Sequence, residues 1–438
     1  MMFNCIIMGA AGRDFHDFQT FFIDHPEFHV CAFTATQIPF IAQRSYPQAL
    51  AGDAYDADIP IYEEEELPRL IAELKIDFVF FAYSDLPHVE VMHRAAIVQS
   101  CGAGFVLLGP LQTTLQSSRK VVAITATRTG AGKSPLTQWL ASALTRAGVP
   151  VVTMRHPMPY GDLAAQAVQR FAELEDLDHH KCTIEEREEY EPYVRRGLVI
   201  YAGVDYRAVL RAAEAEAEII LWDGGNNDFA FIAPDLNIVV SDALRAGHGL
   251  DYYPGETNFR AADILVINKV ADASPEDIER ILALKALLNP GAKLVLSDLE
   301  VTVEDPDSMR GKRVLIVEDG PTVTHGGMAY GAGWVAAQKY GVGDIIDPRP
   351  FAVGGIREVF ARNRHLERVL PAMGYSQHQC RELKATIEAS EADLVLNASP
   401  ANIATLLELA LPVTQVNYRF VPRQGPDMLA AVMGLLAD

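Results

Sequence analysis

The sequence predicts an α/β protein with two mostly parallel, doubly wound sheets, the second larger than the first. Two observations carry this. Short apolar runs suited to buried strands alternate with amphipathic helical stretches along almost the whole chain. That alternation pauses once, in the polar stretch from Gln112 to Lys120, and then begins again. Residues 1–116 are therefore read as a small Rossmann-like N-terminal domain. Residues 117–438 are read as a larger domain with a C-terminal extension.

In chain order, the first strand is Phe3 to Met8, followed by the turn Gly9-Ala-Ala-Gly12. That turn fits a ligand-free strand-to-helix corner as well as it fits a binding loop. Strands at 28–34, 77–82 and 104–108 complete the first sheet. A helix over 63–75 begins with Glu63–Glu66, acidic residues that suit a helix N-terminus. The second domain has strand candidates at 120–126, 150–154, 197–202, 217–223, 236–240 and 263–268. Further candidates lie at 293–297, 312–318, 393–396 and 413–417. Helices are expected at 134–147, 205–216 and 275–288.

Lys and Arg total 37 against 58 Asp and Glu, a formal net charge of -21. A surface this acidic argues against nucleic acid or an anionic membrane as partner. A small anionic molecule stays compatible where cations gather locally. No apolar run reaches the roughly 18 residues of a membrane span, and no signal-peptide pattern opens the chain. Five scattered cysteines read as reduced thiols, so a cytoplasmic protein is expected. Nine of the nineteen residues over 173–191 are Asp or Glu, beside His179, His180 and Cys182. The spacing matches no standard zinc pattern, which favours a solvated helical or lid face over a metal site.

The strongest motif is Thr127-Arg128-Thr129-Gly130-Ala131-Gly132-Lys133-Ser134, between a buried strand and a helix. Glycines let backbone N–H groups curl round an anion, and the helix N-terminus adds partial positive charge. Lys133 would reach the β- and γ-phosphates of a nucleotide, and Ser134 would hold Mg²⁺. Thr127 stands where the usual phosphate loop (P-loop) has its first glycine. The apolar strand ending at Asp223 supplies the expected second metal ligand. Asp162, in the loop after the strand 150–154, is a further candidate catalytic carboxylate. Asn268 and Lys269 end a strand where guanine-reading enzymes carry Asn-Lys-x-Asp, but here the acid comes one place late, at Asp272. ATP or GTP both fit this pattern.

The remaining cations fall beside turns at predicted strand ends: Arg155 with His156, Arg245, His325 and Arg349. In a parallel sheet that edge is where ligands sit, and Arg offers a planar fork of donors to phosphate. These five residues are therefore candidates for holding a small phosphorylated anion.

Four long motifs point further. Arg155-His-Pro-Met-Pro-Tyr-Gly-Asp-Leu163, Cys182-Thr-Ile-Glu-Glu-Arg-Glu-Glu-Tyr190-Glu-Pro, Glu318-Asp-Gly-Pro-Thr-Val-Thr-His325-Gly and Asp347-Pro-Arg-Pro-Phe-Ala-Val-Gly354 resemble the cyclic 2,3-diphosphoglycerate synthetase family over essentially the whole chain. The P-loop itself looks like the branch that includes dethiobiotin synthetase. The resemblance implies an ATP- and Mg²⁺-dependent ligase that closes a bisphosphorylated acid into a cyclic phosphoanhydride, releasing ADP and phosphate. It also implies adenine over guanine and, by analogy, a homodimer. Two rival readings stay open. One is a regulatory or metallochaperone GTPase, favoured by Asn268-Lys269 and the His179/His180/Cys182 cluster. The other is a protein that senses a nucleotide or coenzyme.

Overall fold

The computed structural model describes residues 2–10, 12–36, 44–158, 163–324, 327–373 and 377–437. It is an α/β protein built on two large sheets. The first has six strands in the order Ser45–Tyr46, Ile59–Glu63, Phe28–Ala35, Phe3–Met8, Phe78–Phe81, Gly104–Val106. All pair in parallel except Ser45–Tyr46, an antiparallel edge. One face is covered by an aromatic cluster that includes Phe15, Phe18, Phe33 and Tyr46. The expected helix at 63–75 forms over Leu67–Glu73, with Glu64–Glu66 as a tighter turn leading into it.

The second sheet runs Gln169–Phe171, Ile200–Ala202, Val151–Met154, Ile219–Asp223, Lys120–Ala126, Leu236–Asp242, Ile264–Asn268, Lys293–Val303, Val413–Gln424, Leu394–Asn397, Arg313–Glu318, Asp344–Ile345. A thirteenth strand, Leu370–Pro371, also lies against Arg313–Glu318. The P-loop strand Lys120–Ala126 is central, flanked in parallel by Ile219–Asp223 and Leu236–Asp242.

Two predicted strands are longer than their apolar runs. Lys293–Val303 and Val413–Gln424 form an antiparallel ribbon pairing Leu296 through Val303 with Gln424 back to Val416. Polar residues such as Glu300, Thr302, Asn417 and Arg419 interrupt the apolar pattern there, which is why sequence patterning stops short. The start of Val413–Gln424 pairs in parallel with Leu394–Asn397, so this one strand joins the P-loop half of the sheet to the C-terminal half. Among the described residues, no helix is long and apolar enough to cross a membrane.

The first sheet reaches the P-loop half directly. Leu86–Pro87 pairs with Tyr252–Tyr253, and the buried Arg13 guanidinium lies 4.4 Å from the centre of the Phe229 ring. The turn at Gly9 is filled from within. The Asp14 carboxylate accepts from the backbone N–H groups of Gly12 and Phe15 at 3.0 and 2.7 Å. A side chain at Gly9 would meet Asp14 at 2.6 Å. The chain thus places its own anion at this helix start.

Candidate active site

The strand Lys120–Ala126 runs into the loop at 127–132, and the helix Lys133–Arg146 follows with Gly132 at its start. Gly130 and Gly132 have φ of +77° and +108°, a region only glycine enters freely. Gly132 is required for a second reason. A Cβ there would lie 2.3 Å from Asn268 Nδ2. Lys133 is buried, and that burial pulls its ammonium below the ordinary lysine range despite the nearby Asp223.

Three side chains from neighbouring strand ends hold the loop. Asn268 Nδ2 donates to the Ala131 carbonyl at 2.8 Å, and its Oδ1 accepts from the Ser297 hydroxyl at 3.0 Å. Lys269 Nζ donates to the Gly130 carbonyl and to Asp242, both at 2.8 Å. Arg245 donates to the Thr129 carbonyl at 2.7 Å and to Asp242 at 2.9 Å. From the first sheet, Asp85 accepts from Arg128 at 2.9 Å, while the Arg128 guanidinium also lies 3.6 Å from the Tyr252 ring centre. Asn268, Lys269, Arg245 and Arg128 are thus committed to shaping the loop.

The two expected metal ligands are close together and share a partner. One Arg155 nitrogen donates to the Ser134 hydroxyl at 3.1 Å and to Asp223 Oδ2 at 2.7 Å. The other terminal nitrogen pairs with Glu189 at 2.5 Å. Tyr193 donates its hydroxyl to the same Asp223 oxygen at 2.7 Å. Burial alone would weaken the Arg155 charge, but Glu189 and Asp223 more than offset it. Asp223 Oδ1 is buried with no hydrogen-bond partner among the described residues. A buried orphan carboxylate oxygen beside a P-loop serine fits a divalent cation.

Of these groups, Lys133, Ser134, Arg155, Glu189 and Lys269 line a cavity of about 550 Å³. One wall is the P-loop and the helix Ile184–Val194, and the other is the strand-end region of the C-terminal half. The ribbon of Lys293–Val303 and Val413–Gln424 lies between them, contributing Leu299, Val301 and Tyr418. Six acidic residues line it: Asp272 and Glu304 are exposed, and four carboxylates lie further in, Glu188, Glu189, Glu318 and Asp319. Burial raises all four, and Asp319 adds to the rise on each of the other three. Glu189 is pushed up to about 7, with Arg155 limiting the shift. Glu318 also reaches about 7, although it accepts from the backbone N–H groups of Gly331, Gly333 and Trp334 at 2.9–3.2 Å. Glu188 accepts from the Ser399 hydroxyl, and its Oε2 has no partner among the described residues.

The acidic segment 173–191 divides: Glu173, Glu175, Asp178 and His179 form the solvated face expected of it, and the second half departs from it. In the helix Ile184–Val194, Glu185, Glu186, Glu188 and Glu191 are buried together with Tyr190 and Tyr193. Among the described residues no three His, Cys, Asp or Glu side chains gather as metal ligands. The four cavity carboxylates were not singled out from the sequence. Glu318 and Asp319 end an apolar strand just as Asp223 does, and the same rule points to them.

Among the described residues the candidate anion clamp does not assemble. Arg155 reaches the cavity, but His156 turns the other way and packs against Gly12 and Gly225. Its burial lowers the imidazole to about 3, so it is neutral. Arg349 is bound within its own turn to Asp347 at 2.7 Å, away from the cavity lining. Arg245 braces the P-loop as described. Asp162 and His325 lie outside the described residues.

No family model matches the chain. It is 55% identical over 413 residues to the arginine synthetase ArcE of Thermococcus kodakarensis, covering 94% of this chain and 92% of that protein. It is 33% identical over 148 residues to the tetraacyldisaccharide 4'-kinase of Janthinobacterium sp. (strain Marseille), covering 33% and 41% of the two chains. Among solved structures, LpxK from Aquifex aeolicus in complex with ATP superposes with a TM-score of 0.42 at 13% identity, covering 80% of this chain and 94% of that one.

Proposed function

The chain belongs to the family of the arginine synthetase ArcE, and on that premise we propose that it is an ATP-dependent synthetase that completes a guanidinium group. The observation that carries this reading is the set of four carboxylates at the P-loop mouth, Glu188 and Glu318 buried and Glu189 and Asp319 half-buried. A planar guanidinium, with five N–H donors and a delocalised charge, suits such a site. A bisphosphorylated acid would meet like charge there, and Arg155 offsets only part of it. The alternative of anhydride closure in such an acid rests on the four family-like motifs and on Arg195 and Arg196 at the cavity wall.

The chemistry follows from what a P-loop supplies. Lys133 and the loop N–H groups hold the γ-phosphoryl group for in-line attack by the oxygen of a terminal ureido group. A new P–O bond forms as the bond to ADP breaks. Ammonia then attacks the activated carbon, and the C–O bond breaks to release phosphate. One ammonia proton leaves with the phosphate, relayed by a carboxylate poised near neutrality such as Glu189. The carboxylates stabilise the positive charge that remains on the product. Ser134 and Asp223 would hold Mg²⁺, which supplies charge neutralisation to the phosphates.

The test is phosphate release from ATP and from GTP, with two sets of co-substrates. The expected result is release that needs both a ureido amino acid and ammonium, with arginine as product. Release driven by 2,3-diphosphoglycerate alone would replace this reading with the cyclase. GTP hydrolysis indifferent to both would replace it with the regulatory GTPase.

A further inference from the structure

We propose that Arg155 is a built-in counter-cation for the metal site, holding Ser134 and Asp223 until a nucleotide brings the metal. This rests on the reading that those two residues ligate the divalent cation. One guanidinium nitrogen touches both of them, at 3.1 Å and 2.7 Å, so a metal and this nitrogen compete for the same oxygens. Asp223 is fully buried, and a buried carboxylate without a counter-charge is strongly disfavoured. Arg155 supplies that charge.

The arrangement also provides the release. The second terminal nitrogen of Arg155 lies on Glu189 at 2.5 Å, on the acidic helix Ile184–Val194 of the same cavity wall. When the first nitrogen lets go of Ser134 and Asp223, the Glu189 contact retains the side chain and its charge in the cavity. A free divalent cation must displace a charge-assisted pair to enter. A cation carried by a triphosphate arrives with negative charge that can take over the guanidinium. Metal loading is thereby tied to nucleotide loading.

The test is Mn²⁺ binding to the full chain, read by electron paramagnetic resonance with and without ATP. R155Q alone removes a positive charge, which tightens metal binding at any site. Above about pH 8, where Glu189 is ionised, the variant R155Q/E189Q removes the ion pair as a unit and leaves the local charge unchanged. It is expected to bind Mn²⁺ without nucleotide about tenfold or more tighter than wild type, the worth of one charge-assisted hydrogen bond. Adding D223N should abolish the gain. R155K serves if the double variant does not fold. A lysine carries one nitrogen and cannot hold Ser134, Asp223 and Glu189 together, so the same direction is expected. Equal nucleotide-free binding by wild type and these variants overturns the proposal, while loss of the ATP-dependent Mn²⁺ signal in D223N leaves the ligand reading standing. Retention of that signal in D223N overturns both.

Discussion

Asn268 offers a sharp test because two roles for it predict opposite results. Its position in the chain suits a residue that reads the purine base, whereas its two hydrogen bonds tie the Ala131 carbonyl to Ser297. Asn268→Ala removes both bonds. Each buried neutral bond is worth about 1 kcal/mol, and the orphaned carbonyl and hydroxyl add a desolvation cost. The side chain is fully buried, so water does not replace it. The sum is a loss of about 2–4 kcal/mol in urea unfolding. Because the P-loop itself loosens, affinities for ATP and GTP should fall together, as read by calorimetric titration. A variant whose stability stays within about 0.5 kcal/mol of wild type while losing one purine selectively would refute the brace.

Three further outcomes follow from the same geometry. Lys133→Ala should cut turnover by about 10²–10³-fold or more, measured as phosphate release, because it removes the main cation facing the γ-phosphoryl. Asp85→Ala should destabilise the chain by about 3 kcal/mol, since it removes one partner of the buried Arg128–Asp85 pair; unchanged urea unfolding would remove this link. The third concerns pH. Glu189 and Glu318 titrate near 7 in the fold against an ordinary 4.5, so the unfolded chain ionises first. Stability without ligand should fall as pH rises from about 4.5 to about 7 and then level off. Arginine should bind more tightly above that range, and E189Q/E318Q should flatten both profiles in thermal unfolding.

What was legible in the sequence was local. The run from Ile124 to Ser134 states its strand, loop and helix in neighbouring residues, and Asp223 follows from an apolar strand that ends in an acid. The solvated face expected over 173–191 holds for its first half and fails for the helix Ile184–Val194, because nine carboxylates in nineteen residues look solvated throughout. The buried Glu188 of that helix accepts from Ser399, more than two hundred residues later, and no local pattern encodes that contact. The pairing of Arg155 with His156 as one clamp failed for a simpler reason. Adjacent residues leaving a strand point to opposite faces, so one enters the cavity and the other packs towards the first sheet. Asn268 and Lys269 were found correctly at a strand end, but their partners are loop carbonyls, which sequence does not display.

The ribbon that lines the cavity has a consequence for how the protein is made. Lys293–Val303 waits for a neighbour that lies more than a hundred residues downstream, in Val413–Gln424. On the ribosome, the P-loop half therefore emerges with an open strand edge, the kind of edge that invites pairing with other chains. Leu394–Asn397 and Arg313–Glu318 join the same sheet only through that late strand. An unfinished chain can carry the complete nucleotide motif yet lack the surface against which the acceptor would lie. Synthesis of Val413–Gln424 is thus the step that closes the open edge of the P-loop half and completes the cavity wall.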